Sequence, residues 1–207
     1  MRRQRKVELL PQLVESIVSD TADVFLLFVD LCGSTLYKRK CIQQKQPDLT
    51  WIFRQLIFLQ RAADLVKKYN GIIVKTIGDE LFAYFEATTY PEEIIKCAIE
   101  IIQGFGNLKS FKDESKIEAK VSLDFGLTYN GSIDNLHKFD PIGSAVDRCA
   151  RLNSIAKKNE IVFSEDFINA IENKMTLPKF KSKYGFKTRT EDLKGIGKIK
   201  CNFIVAK

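Results

Sequence analysis

Residues 71–85, GIIVKTIGDELFAYF, restrict the possible folds of this chain more than any other stretch. Two apolar runs rich in β-branched and aromatic side chains, Ile72 to Thr76 and Leu81 to Phe85, are joined by Ile77-Gly78-Asp79-Glu80. Runs of that length around a short loop holding Gly-Asp predict a β-hairpin. An ordinary hairpin turn has no need of Asp79 and Glu80 between buried strands, nor of Lys75 just before them. A second apolar run, Val24 to Val29, ends on Asp30 and is followed by Gly33-Ser34-Thr35. It is too apolar to cover one face only, which predicts a central strand. Two carboxylates at strand ends, with a loop whose backbone N–H groups suit phosphate, point to a site for divalent metal and triphosphate. Asp30 as a helix cap and Asp79 as a turn residue are the plainer alternatives.

The rest of the pattern builds an α+β fold around these two stretches. A helix is expected from Asp48 or Thr50, both N-cap types, to Tyr69, stopped by Asn70-Gly71. Its apolar residues cover more than one face, which predicts burial against both a sheet and a partner chain. Pro91 opens a helix to about Phe105, Ile117 to Thr128 is strand-like, and Ser144 to Ala156 forms a helix on which Asp147 and Arg151 share a face. A strand at Glu160 to Phe163, a helix at Glu165 to Ile171, and strands at Phe180 to Thr188 and Ile199 to Val205 complete the chain. Lys38 to Lys45 is read as loop or frayed helix, and Phe139 to Gly143 as a loop. The order β-α-β-β-α-β, then further elements, predicts a ferredoxin-like βαββαβ core with an extra C-terminal helix and strands. Residues 1–22, including an amphipathic Val7–Val18, form an N-terminal helical extension, and 23–207 the main domain.

Composition excludes several classes. With 207 residues and 45% hydrophobic content, the chain can bury the core of one domain. Five scattered cysteines without CxxC spacing argue against zinc and disulfide scaffolds and for a reducing, cytoplasmic compartment. His137 as the sole histidine leaves no room for a histidine-based triad. No apolar run is long enough to span a bilayer. The net charge of +7 suits an anionic partner such as a nucleotide or nucleic acid.

Four segments, FVDLCGST, VKTIGDELFAYF, FDPIGSAVDRCARL and LKGIGKI, resemble the signature blocks of the class III nucleotide cyclase catalytic domain, in the same order and spacing. The resemblance implies cyclisation of a ribonucleoside triphosphate to a 3′,5′-cyclic nucleotide and pyrophosphate. It implies a homodimer with sites at the interface, and two Mn²⁺ or Mg²⁺ ions held by Asp30, Asp79 and the Leu31 backbone carbonyl. Gly33, Ser34 and Thr35 would bind phosphate. Lys75 and Asp140 would read the base, and Arg151 would steady the transition state. The family's ribose-orienting asparagine is replaced by Asp147. An arginine directed at the triphosphate is aligned with Asp124, and the last-turn lysine of some members with Ile196, which leaves Lys38, Arg39, Lys194 and Lys198 as candidate phosphate cations.

With Gly-Ser-Thr in the first block and no sensor or membrane module in the sequence, the chain most resembles the stand-alone pyrimidine cyclases of Pycsar antiphage defence. Those make cyclic UMP or CMP for a separate effector protein. Adenylate cyclase is the alternative, because a lysine–aspartate pair reads an adenine edge as readily. A basic ferredoxin-like nucleic-acid-binding module and an inactive cyclase homologue are rivals of other kinds, although Asp30, Asp79 and Glu80 would repel a nucleic-acid backbone.

Overall fold

The computed structural model describes residues 20–105, 116–131, 139–172 and 177–206. The predicted Val7–Val18 helix and His137 lie outside them. Strand β1 (Thr21–Leu31) sits inside a sheet ordered β2-β3-β1-β4-β6-β8-β7, with β2 at Ile72–Ile77, β3 at Glu80–Glu86, β4 at Ala119–Asn130, β6 at Glu160–Ser164, β7 at Lys187–Leu193 and β8 at Gly197–Val205. The short β5 (Pro141–Ile142) pairs with β4, within a stretch expected to be loop. The β2-β3-β1-β4 half is the expected ferredoxin-like core.

Side chains alternate across a strand, and β1 is apolar on both faces because both are covered. Phe25, Leu27, Val29 and Leu31 enter the main core, packed with Phe58, Ala62 and Val66 of α2 (Leu49–Lys68) and with Ile94, Ile95 and Ala98 of α3 (Pro91–Gln103). Val24, Leu26 and Phe28 face the other way, onto Ala145 and Cys149 of α4 (Ser144–Ile155). Asp30 continues this even-numbered set, so its carboxylate emerges on the α4 side.

Several segments differ from what the sequence pattern predicts. Residues 34–43 form a regular helix, α1 (Ser34–Gln43), because Tyr37 and Cys41, four apart, are buried anchors on an otherwise charged surface. Residues expected to start a strand near Phe180 belong instead to α6 (Leu177–Tyr184), which follows α5 (Glu165–Glu172). Phe180 is buried against Phe163 and Phe186 there, and strand β7 begins only at Lys187. Asp48 precedes α2 but makes no capping hydrogen bond; its Oδ1 accepts from the Trp51 indole at 3.3 Å. On α2, Phe53 and Leu56 are exposed.

Candidate active site

Two turns bring the acidic residues together. Gly78 adopts a left-handed conformation (φ 64°) in the tight turn between β2 and β3, which presents Asp79 at the tip. Gln55 of α2 anchors this turn, its Nε2 donating to the Gly78 carbonyl at 2.7 Å. At the end of β1, Gly33 (φ 73°) redirects the chain so that Ser34 and Thr35 open α1. First-turn N–H groups of a helix have no intrahelical acceptor, so they are available to an anion.

Strand register supplies the remainder. Asp30 lies opposite Glu80 on β3 and opposite Lys120 on β4, so the three side chains form a row across one face of the sheet. Lys120 Nζ lies 3.2 Å from Asp30 Oδ2. Burial raises the Asp30 pKa above the usual carboxylate value; Lys120 opposes this and the nearby Asp79 charge adds to it. Glu80 is pushed up to about 7, by burial first and then by Asp30 and Asp79. A hollow of about 460 Å³ is lined by Asp30, Gly33, Ser34, Thr35, Lys120 and Lys158. A second, of about 270 Å³, lies against Ser34, Thr35, Lys38, Trp51 and Asp79.

Asp30, Asp79 and Glu80 offer carboxylate oxygens beside the Lys120 ammonium, donors suited to hard divalent cations, while Cys32, which also lines the larger hollow, has its thiol pushed up to about 11 by burial. Among the described residues no three histidine, cysteine or acidic side chains form a ready-made metal cage. An ion would be completed by the Leu31 carbonyl and by phosphate oxygens.

Lys75 and Asp140 form a second group. Their side chains meet at 2.7 Å, and the Asp140 backbone is held at β4 by Asn130 Oδ1 and by Gly131 N–H. Phe139, just before Asp140, packs edge-on against Tyr84 with ring centroids 5.6 Å apart. Asp147 and Arg151 are exposed on α4, and neither forms an ion pair among the described residues. The two hollows beside Gly33–Thr35 are lined by the first group without Lys75, Asp140, Asp147 or Arg151.

Asp124 does not occupy a place beside the phosphate loop. It lies opposite Leu26, fully buried under α4, where Arg148 Nε and Nη2 donate to it at 2.7 and 2.9 Å. Lys120, four residues earlier on the same face of β4, is the cation beside Asp30. The motif alignment missed it; pairing the end of β1 with the start of β4 would have revealed it. Of the other candidate cations, Lys38 stacks over Trp51 at 4.1 Å. Lys194 and Lys198 flank the β7–β8 turn, and β8 lies three strands from β1, about 14 Å away at normal strand spacing.

The sheet order and helix placement are those of the class III nucleotide cyclases. The family model for the adenylate and guanylate cyclase catalytic domain matches residues 17–206, and the chain belongs to that family. An adenylate cyclase of Streptomyces coelicolor is 30% identical over 146 residues, covering 68% of this chain and 33% of that protein. An adenylate cyclase of Streptomyces griseus is 30% identical over 141 residues, covering 68% of this chain and 30% of that protein. The match thus spans about a third of the length of these curated relatives. Among solved structures, the guanylate cyclase domain of RhGC from Catenaria anguillulae, in complex with GTP, superposes with a TM-score of 0.70 at 19% identity, covering 90% of this chain and 97% of that one. No described helix is long and apolar enough to cross a membrane.

Proposed function

We propose that this chain converts a ribonucleoside triphosphate to its 3′,5′-cyclic nucleotide and pyrophosphate. The observation that carries the reading is the convergence of Asp30 and Asp79, from distant turns, on the loop that exposes the first N–H groups of α1. In the reaction the ribose 3′-oxygen bonds to the α-phosphorus, the bond from that phosphorus to the β-phosphate bridging oxygen breaks, and the hydroxyl proton leaves to solvent. Asp30, Asp79 and the Leu31 carbonyl would hold two Mn²⁺ or Mg²⁺ ions, which supply charge neutralisation at the phosphates and acidify the attacking hydroxyl. Gly33, Ser34 and Thr35 offer backbone donors to phosphate oxygens, and Lys120 offers the ammonium that Asp124 cannot. Arg151 offsets charge developing on the transferred phosphate, and Asp147 accepts from the ribose.

A homodimer fits the separation of these groups. Arg151 and Asp147 face solvent from α4, and Lys75 with Asp140 stands apart from the hollows beside Asp30. A second copy bringing its own Lys75, Asp140, Asp147 and Arg151 to the carboxylates would complete two equivalent sites.

For the base, Lys75 donates to a ring nitrogen or carbonyl, while Asp140 accepts from an amino group or ring N–H. Phe139 and Tyr84 pack together in the apolar cluster under α4, and it is the resemblance of Gly33-Ser34-Thr35 to the stand-alone pyrimidine cyclases that supports a one-ring base, UTP or CTP, and a pyrimidine messenger read by a separate effector in antiphage defence. A second reading, ATP, is favoured by the adenylate cyclase names of both curated relatives. Incubating the protein with Mn²⁺ and each of the four ribonucleoside triphosphates, with products identified by mass, decides between them. Asp30→Ala and Asp79→Ala should each abolish product while the protein stays folded. Absence of any cyclic nucleotide from the unmodified protein would refute the reading.

A further inference from the structure

Asn153 on α4 is 1% exposed, yet neither Oδ1 nor Nδ2 has a hydrogen-bond partner. Buried side-chain amides are normally paired, so such an exception calls for a physical account. Its position follows from the way α4 crosses the sheet. Ala145 lies against Gly126, Arg148 donates to Asp124, and the Cys149 carbonyl accepts from Ser122 Oγ at 2.8 Å. The helix therefore runs antiparallel to β4. It advances about 6 Å in four residues, while the strand advances about 6.8 Å in two. The step that carries Cys149 to Asn153 therefore carries Ser122 to Lys120. Cys149 also leans toward β1, its thiol donating to the Leu26 carbonyl, so Asn153 on the same side faces the Lys120–Asp30 end of the sheet. Ala156, one turn beyond, lines the hollow that Asp30 and Lys120 line.

We propose that Asn153 is a positioning residue that receives the Lys120 ammonium when Asp30 turns to a divalent cation. This rests on the carboxylate reading given above. Lys120 Nζ lies 3.2 Å from Asp30 Oδ2, so any incoming cation competes with it for that oxygen. An amide offers one acceptor oxygen and two N–H donors. Its oxygen can take the displaced ammonium, and its N–H groups can support the carboxylate that the ammonium leaves. Lys120 then remains near the phosphate loop without opposing the metal.

The test is Mn²⁺ binding to the full chain, read from the loss of the free-ion electron paramagnetic resonance signal, with melting temperatures recorded alongside. Asn153→Leu should weaken Mn²⁺ binding about tenfold when Lys120 is present and less than about twofold in a Lys120→Met background, the former being the usual effect of removing a residue that supports a metal ligand. Asn153→Ala gives the same comparison should the leucine variant fold poorly. Unchanged affinity in the single variants, or equal weakening in both backgrounds, overturns the proposal while leaving the metal reading intact. If Mn²⁺ does not bind the unmodified chain, or binds equally well to Asp30→Ala, the metal reading falls and this inference falls with it.

Discussion

Lys75 and Asp140, 65 positions apart in sequence, hold each other through contacts of 3.0 and 2.7 Å from one ammonium to the two carboxylate oxygens. Both are on the accessible side of the molecule, and Lys75 is nearly half exposed. An exposed pair of this kind adds little to stability, about 0–1 kcal/mol. Its role in the proposed reaction is instead to present one donor and one acceptor side by side.

Lys75→Ala should therefore leave the melting temperature almost unchanged while lowering kcat/KM for the preferred triphosphate. A hydrogen bond to a charged group is worth about 1.5–3 kcal/mol, or roughly 10- to 150-fold. Exchanging the two residues, Lys75→Asp with Asp140→Lys, should restore the ion pair but not the activity. Recovery of full activity by the exchange would show that the pair is structural.

The hairpin, the central strand and the two acidic turns were legible because each rests on local patterning. Apolar runs bounded by Gly-Asp and Gly-Ser-Thr have few other ways to fold. What the sequence hid depends on register. That Lys120 meets Asp30, while Asp124 lies under α4 with Arg148, follows from which residue of β4 stands opposite which residue of β1. The motif alignment points to Asp124, four residues further along β4 than the lysine that meets Asp30. The helix at Leu177–Tyr184 was hidden for a related reason: Phe180 suits a buried strand as well as a buried helix, and only its packing against Phe163 and Phe186 decides.

Gln55→Ala should loosen the turn that carries Asp79, because the donor to the Gly78 carbonyl is lost. The cost to stability is about 1 kcal/mol, a fall of roughly 2–4 °C in melting temperature for a domain of this size. The Mn²⁺ concentration giving half-maximal activity should rise at the same time. A fall in stability without that rise would mean that the turn holds Asp79 unaided.

The buried Asp124 carboxylate depends on Arg148, which also reaches Asp166. Arg148→Met should destabilise the protein by about 3–5 kcal/mol, since it leaves a buried charge uncompensated. Adding Asp124→Asn should recover much of that loss, because a neutral amide can keep the hydrogen bonds from Ser164 and the Phe125 N–H. Denaturant unfolding of the two single variants and the double variant gives the coupling directly. Additive losses would show that the two side chains act independently.

Acid stability should carry the mark of Glu160. Burial works against its ionisation, but hydrogen bonds from Arg189 and the Lys157 N–H outweigh it and hold the carboxyl below its ordinary value of 4.5. A group whose folded pKa is depressed contributes stability above the unfolded value and loses it as pH falls through the folded one. Glu160→Gln should thus cost about 1–3 kcal/mol at neutral pH, the usual penalty for disrupting a buried charged hydrogen bond. The difference from the unmodified chain should shrink steadily once the pH drops below 4.5, where the unfolded chain's carboxyl takes up its proton before the native one does. Urea unfolding followed across that range measures it. A difference that stayed constant with pH would show that Glu160 acts through packing, with its charge contributing nothing.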